Sequence, residues 1–241
     1  VLTGLTEVSC INSRKIDENG NEVLCRGELF YRGVNIFDLV KGFSDDGQPG
    51  FEEAVYLLLS SKLPNNDELK EFCEQLSNYR SLPPSFVRDM ILKAPSKDMM
   101  NILSRCVLAL YSYDDNPDDL SLNNLLRQSL MLIARLPMVA VQAYQVKKRN
   151  YDRESMYLHF PSDDYCTAEN FLHVMRPDQK FTPEEAHLLD ACLIMHAEHL
   201  EAVHGVGPHT ISVPRLKRAD DIDPDTFDNG IPDETFEKII A

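Results

Sequence analysis

The segment Ala186-His-Leu-Leu-Asp-Ala-Cys-Leu-Ile-Met195 is apolar on nearly every side of a helix, and this limits what the chain can become. Its start is well marked. Thr182 suits an N-cap, Pro183 suits the first helical position, and Glu185 three residues after the cap closes a capping box. A helix that is apolar all round must be buried among other elements, so it predicts a helical domain around itself. The run then breaks at His196-Ala-Glu-His199. These two histidines, three apart, share one side of the C-terminal turn. The unpaired carbonyls of a helix end favour positive charge there, which suits imidazoles contacting an anion. Leu200-Glu-Ala-Val-His-Gly-Val-Gly-Pro-His209 follows, and the helical pattern does not resume.

Upstream, one small β unit precedes a series of helices. Val8–Ile16 and Glu22–Tyr31 flank Asn19-Gly20, a strong hairpin signal. Phe51–Ser61 reads as a largely buried helix ending at Leu63-Pro64. Asp67–Tyr79 carries Leu69, Phe72, Cys73 and Leu76 at helical spacing. Further helical segments are expected over Phe86–Lys93 after Pro84, over Lys97–Tyr113, and over Thr167–Met175. Leu120–Lys148 is a long helical pattern that Pro137 is expected to kink or split. Asp114–Asp119 reads as a loop and Tyr157–Pro161 as extended chain. The fold class is therefore mainly α with a small N-terminal β-hairpin.

Composition narrows the functions. The 241 residues carry a formal charge of −15, which opposes nucleic-acid binding because phosphate contacts need clustered Lys and Arg. Lys147-Lys148-Arg149 is the one basic cluster and reads as a solvated helix end. The apolar stretch Leu130–Ala143 is interrupted by Arg135 and Pro137, so no membrane span is expected. No signal peptide is evident after Val1, and six cysteines without CxxC spacing fit reduced thiols, so a cytoplasmic location is expected. His196, His199, His204 and His209 with Glu198 and Glu201 invite a metal reading. Their spacing matches neither His-Glu-x-x-His nor its inverse, and no metal site is assigned. His159, His173 and His187 read as structural. Gly205-Val-Gly207 is too short for a phosphate loop.

Several segments together resemble bacterial citrate synthase. They are Glu28-Leu-Phe-Tyr-Arg-Gly-Val-Asn-Ile-Phe-Asp-Leu39, Phe51-Glu-Glu-Ala-Val-Tyr-Leu-Leu-Leu59, Arg135-Leu-Pro-Met-Val-Ala-Val-Gln-Ala-Tyr144, Tyr157-Leu-His-Phe-Pro161, Ala168-Glu-Asn-Phe-Leu-His-Val-Met-Arg-Pro-Asp178 and His196-Ala-Glu-His199. The resemblance covers about the first 200 residues in the family's order. It implies a large helical domain, condensation of acetyl-CoA with oxaloacetate, and a homodimer or other self-association. It also implies that His199 contacts oxaloacetate, with His196 as its neighbour. Acetyl-CoA would be a substrate, so no cofactor is expected. The family's later Gly-Pro-x-His-Gly-Gly motif, its Gly-His-Arg histidine, its proton-abstracting aspartate and its carboxylate-clamping arginines have no match here. Gly207-Pro208-His209 lacks the intervening residue and the following glycines. No catalytic residue is assigned.

The acid-rich tail has a separate likeness. Val203-His-Gly-Val-Gly-Pro-His-Thr-Ile-Ser-Val-Pro-Arg215 resembles a barrel strand of radical S-adenosylmethionine tyrosine lyases, the family of the iron-hydrogenase maturase and the thiamine-pathway enzyme. Those enzymes need a CxxxCxxC loop, which this sequence lacks. The expected organisation is an incomplete citrate-synthase-like helical domain over 1–200 and an unrelated tail over 201–241. The expected function is that of a citrate synthase family protein that does not turn over on its own. The competing expectation is a non-catalytic dicarboxylate-binding or interaction protein on the same scaffold.

Overall fold

The structure, a computed structural model, describes residues 8–198. Within them the chain forms two compact units, residues 8–64 with 191–198 and residues 65–190. The tail expectations for His204, Gly205–Gly207, His209 and residues 201–241 lie outside the described residues, as does His199.

The first unit is a three-stranded antiparallel sheet backed by helices. Strands β1 (Ser9–Ile16) and β2 (Glu22–Tyr31) pair from Ser9 opposite Tyr31 to Ile16 opposite Glu22, with an irregularity between Asn12 and Arg14. The predicted hairpin is present, but Asn19-Gly20 is not its two-residue centre. A four-residue turn spans 17–20: Gly20 N–H donates to Asp17 O, while Asp17 Oδ1 accepts from the N–H groups of Asn19 and Asn21. Gly20 supplies the left-handed residue, with φ 81°. A tighter turn, Arg32-Gly33, has positive φ at both positions and folds β3 (Val34–Asn35) back onto β2. Arg32 is held in that unfavourable conformation at both ends. Its N–H donates to Val8 O and its guanidinium donates to Leu58 O.

Asn35 then caps α1 (Ile36–Asp46) by accepting from Phe37 N–H. Gly47, left-handed with φ 65°, ends α1, and α2 (Gly50–Ser60) follows. Gly50 lies against the Phe43 ring, where an added Cβ would stand 2.5 Å from ring carbons. The core of this unit is Tyr31, Ile36, Leu39, Phe43, Ala54, Leu57 and Ile194, all buried.

The described secondary structure of the second unit is helical. Helix α3 (Asn66–Arg80) opens with a capping box between Asn65 and Glu68. After Pro84 the chain does not make an ordinary helix. Val87–Leu92 winds as a π-turn, closed by Lys93 N–H to Arg88 O at 3.2 Å. Helix α4 (Met99–Leu110) starts at an Asp98 cap, and α5 (Leu122–Lys147) is the longest element. Of the kink or split expected at Pro137, the split does not occur, and α5 runs through the proline. The ring forfeits one N–H, but Ala134, Met138, Val139 and Val141 are buried around it, and packing holds the helix together. By length and composition alone, Leu122–Asp152 could cross a bilayer. It instead packs on α3, α4 and α6 (Thr167–Met175) as the central helix of its unit. Phe86, Ile91, Ile102, Cys106, Leu110, Val139, Ala143 and Val146 form the main core, and Met138, Val141 and Val174 a second.

Helix α7 (Pro183–Met195) begins as its sequence predicts. Thr182 N–H donates to Glu185 Oε2, and Glu185 N–H donates back to Thr182 Oγ1. The expectation that it is enclosed on all sides is not met. Ala186, Asp190 and Ile194 are buried in a stripe four residues apart, while Leu188 and Met195 are exposed. The helix docks along one line, and apolar residues off that line keep contact with solvent.

Arg80 joins the end of α3 to the loop before α6. It is 4% exposed, and its Nη1 donates to Ser162 O and Tyr165 O, at 3.4 and 3.1 Å. Arg80→Ala removes one donor from each of those carbonyls, Asn170 Nδ2 supplying the other, and is expected to lower unfolding stability by about 1–3 kcal/mol, read from the urea midpoint.

Candidate functional site

The site predicted from sequence begins where α7 ends, and the first unit builds the platform beneath it. Ile194, fully buried in the core of that unit, fixes the last turn of the helix. That turn is tightened by His196 N–H to Leu193 O at 3.2 Å and Ala197 N–H to Ile194 O at 3.1 Å. His196 is exposed on the turn. Among the described residues no group of three His, Cys, Asp or Glu side chains is gathered to hold a metal ion.

Two groups of the sheet hold the turn. The Tyr31 hydroxyl donates to Ile194 O at 2.9 Å, and the ring has no exposed surface. Burial pushes the Tyr31 phenol above its ordinary pKa, a backbone hydrogen bond from Glu198 pulls it down, and the Glu198 charge raises it again. Ser9 Oγ donates to the Glu198 carboxylate. Ser9 and Tyr31 are partners in the β1–β2 register, so one cross-strand pair supplies both holds. Neither was singled out as functional from sequence. Tyr31 was visible only as part of the Tyr-Arg-Gly landmark, because a contact spanning more than 160 positions leaves no local pattern.

The other histidines sit elsewhere. His159 stacks on Tyr157, and its carbonyl accepts from Gln142 Nε2. His173 bonds Gln179 O through Nδ1 and meets the Tyr165 ring edge-on. His187 lies on the exposed side of α7.

The start of α7 is set by an ion pair within the second unit. Arg176 Nη1 and Nη2 each donate to a Glu185 carboxylate oxygen at 2.7 Å, a two-pronged contact between the end of α6 and the first turn of α7.

Comparison with known proteins gives a consistent picture. The family model for the citrate synthase C-terminal domain matches residues 1–202. The chain is 28% identical over 178 residues to a citrate synthase of Corynebacterium glutamicum, covering 72% of this chain and 38% of that protein. It is 30% identical over 182 residues to the citrate synthase of Haloferax volcanii, covering 72% of this chain and 43% of that protein. Among solved structures, citrate synthase from Pyrobaculum aerophilum superposes with a TM-score of 0.65 at 25% identity, over 83% of this chain and 46% of that one. The Thermoplasma acidophilum citrate synthase, solved in ternary complex with carboxymethyl coenzyme A and oxaloacetate, shares the fold with a TM-score of 0.62 at 22% identity, over 83% of this chain and 46% of that one. The chain thus spans less than half the length of these relatives.

The Arg176 guanidinium, then the Thr182 N–H, hold the Glu185 carboxyl at about 2, below its usual 4.5. A depressed carboxyl stabilises the fold above the unfolded value and loses that contribution as pH falls from 4.5 through 2. Arg176→Ala is expected to return the Glu185 titration toward 4.5, followed by carboxyl carbon NMR, and to shift loss of the α7 cap to higher pH.

Proposed function

The chain belongs to the citrate synthase family, and on that premise we propose that its 241 residues carry the dicarboxylate-contacting end of a citrate-forming site without completing that site. His199 contacts oxaloacetate in this reading, and His196 stands beside it. The observation that carries the proposal is the sheet-anchored end of α7, where Ile194, Tyr31 and Ser9 fix the path of the chain into the His196-Ala-Glu-His199 motif. The family match extends over this same motif.

Condensation needs more than a held dicarboxylate. A base must remove a methyl proton from acetyl-CoA, and a donor must face the enolate oxygen as charge develops. The Gly-Pro-x-His-Gly-Gly and Gly-His-Arg motifs that the resemblance assigns to such roles do not occur in these 241 residues. Acidic residues elsewhere do not replace a base that must sit within hydrogen-bonding reach of the reacting carbon. The chain alone is therefore a scaffold with weak dicarboxylate affinity and no turnover. Its place in a cytoplasmic tricarboxylic acid cycle belongs to the same proposal.

Self-association is part of it too. Leu188 and Met195 on α7, Met100 and Leu108 on α4, and Phe160 before α6 are large apolar side chains with 48–83% of their surface exposed. Surfaces of this kind favour pairing with another copy. Sedimentation at micromolar concentration is expected to show a dimer or larger species, and a sharp monomer boundary would contradict it.

The functional test mixes the chain with acetyl-CoA and oxaloacetate and follows release of CoA thiol. No release above background is expected, while calorimetry with oxaloacetate alone is expected to show weak binding that His199→Ala removes. Steady thiol release that disappears in His199→Ala would overturn the assignment of an incomplete site.

A further inference from the structure

The turn that joins β1 to β2 needs a glycine, and that glycine follows an asparagine. Gly20 has φ 81°, a backbone region that residues with a Cβ rarely enter. Among the described residues Asn19 is the one asparagine followed by glycine. Such a pair is open to attack from within. The amide nitrogen of the second residue can reach the side-chain carbonyl carbon of the first, and glycine has no side chain to hinder it. The surroundings offer no shelter either. Residues 18–21 are exposed, and a Cβ added to Gly20 would meet nothing within 4 Å. Water, and the base it carries, therefore has access to both partners.

What opposes the reaction is the turn's own hydrogen bonding. The attacking atom is the Gly20 nitrogen, stripped of its proton. In the folded hairpin that N–H donates to Asp17 O at 3.0 Å. The N–H of Asn19 donates to Asp17 Oδ1 at 2.9 Å, and that of Asn21 to the same oxygen at 2.8 Å. Asp17 N–H donates to Asn21 O at 2.9 Å and closes the turn from the other side. Asp17 thus holds the backbone before, at and after the reacting pair. The Asn21 N–H above all keeps the Asp17 carboxyl below its ordinary pKa, so the side chain serves as an acceptor.

We infer that Asn19 is a site of spontaneous deamidation and isoaspartate formation, latched shut in the folded hairpin by Asp17. The latch must open before the Gly20 nitrogen can turn onto Asn19 Cγ. In the step itself the N–Cγ bond forms and the Cγ–Nδ2 bond breaks. The Gly20 amide proton and the side-chain NH2 leave together as ammonia, and a cyclic succinimide remains. Water then adds across either of its carbonyl–nitrogen bonds, giving aspartate or isoaspartate, and nothing is oxidised or reduced. Isoaspartate routes the main chain through the side-chain carbon, longer by a methylene, inside a turn that Asp17 and Asn21 close. It also sets a new carboxylate near that of Asp17. Both changes oppose the turn, so the product does not relatch.

The test follows tryptic peptide 16–26 of the full chain by mass spectrometry during incubation in mildly alkaline buffer. Fragmentation places the amide-to-acid mass gain at Asn19, and an isoaspartyl methyltransferase with labelled methyl donor counts the isoaspartate. Asn19 is expected to convert about tenfold more slowly in the native chain than in the chain unfolded by guanidinium, and Asp17→Ala is expected to remove most of that difference. Asp17→Asn keeps an acceptor oxygen without the charge and is expected to stay slow. Equal rates in native and unfolded chain overturn the latch. So does a folded Asp17→Asn chain that converts as fast as Asp17→Ala, because charge rather than hydrogen bonding would then set the rate. No conversion in the unfolded chain overturns the site itself. Should Asp17→Ala not fold, Asp17→Asn is read against the unmodified chain, and fast conversion within a native fold overturns the latch.

Discussion

In the helical unit, the long irregular stretch over residues 153–166 holds its place because buried side-chain donors and acceptors reach its backbone. Gln142 and Gln145, on the buried face of α5, donate to His159 O and Met175 O, and Gln145 Oε1 accepts from Tyr157 N–H. Asn170 on α6 donates to Ser162 O and Tyr165 O while accepting from Ser162 N–H. Backbone groups with no place in a helix are costly when buried, and these amides satisfy them one by one.

The first unit solves a different problem. A short sheet has little interior of its own, and β1 and β2 gain stability by setting Tyr31 and the helices α1 and α2 around a shared apolar cluster. Ile194 enters that cluster as its most distant member in sequence. The end of α7 is therefore shaped by the sheet.

Much of this was readable in the residues. Thr167–Met175 and the capping box of Thr182 and Glu185 follow from local pattern, and they appear at the predicted positions. So does the hairpin, although Asp17, rather than the Asn19-Gly20 pair alone, organises its turn. Local pattern failed where partners decide geometry. Pro137 reads as a kink or a split, and buried residues on both sides carry α5 through it without a split. Leu188 reads as core, yet α7 turns Asp190 inward instead. Of the candidate site, His196 was legible as a helix-end residue. The hydroxyl of Tyr31 was not, since nothing near it in sequence says that it meets residue 194.

Arg80 grips the loop before α6 by its carbonyls, at Ser162 and Tyr165. Every amino acid brings a carbonyl, so this attachment is indifferent to what residues 162 and 165 are. Variation at residue 162 or 165 leaves these carbonyls in place, whereas the donors at positions 80 and 170 depend on their side chains. Arg80 and Asn170, far apart in sequence, are the side chains on which this attachment depends.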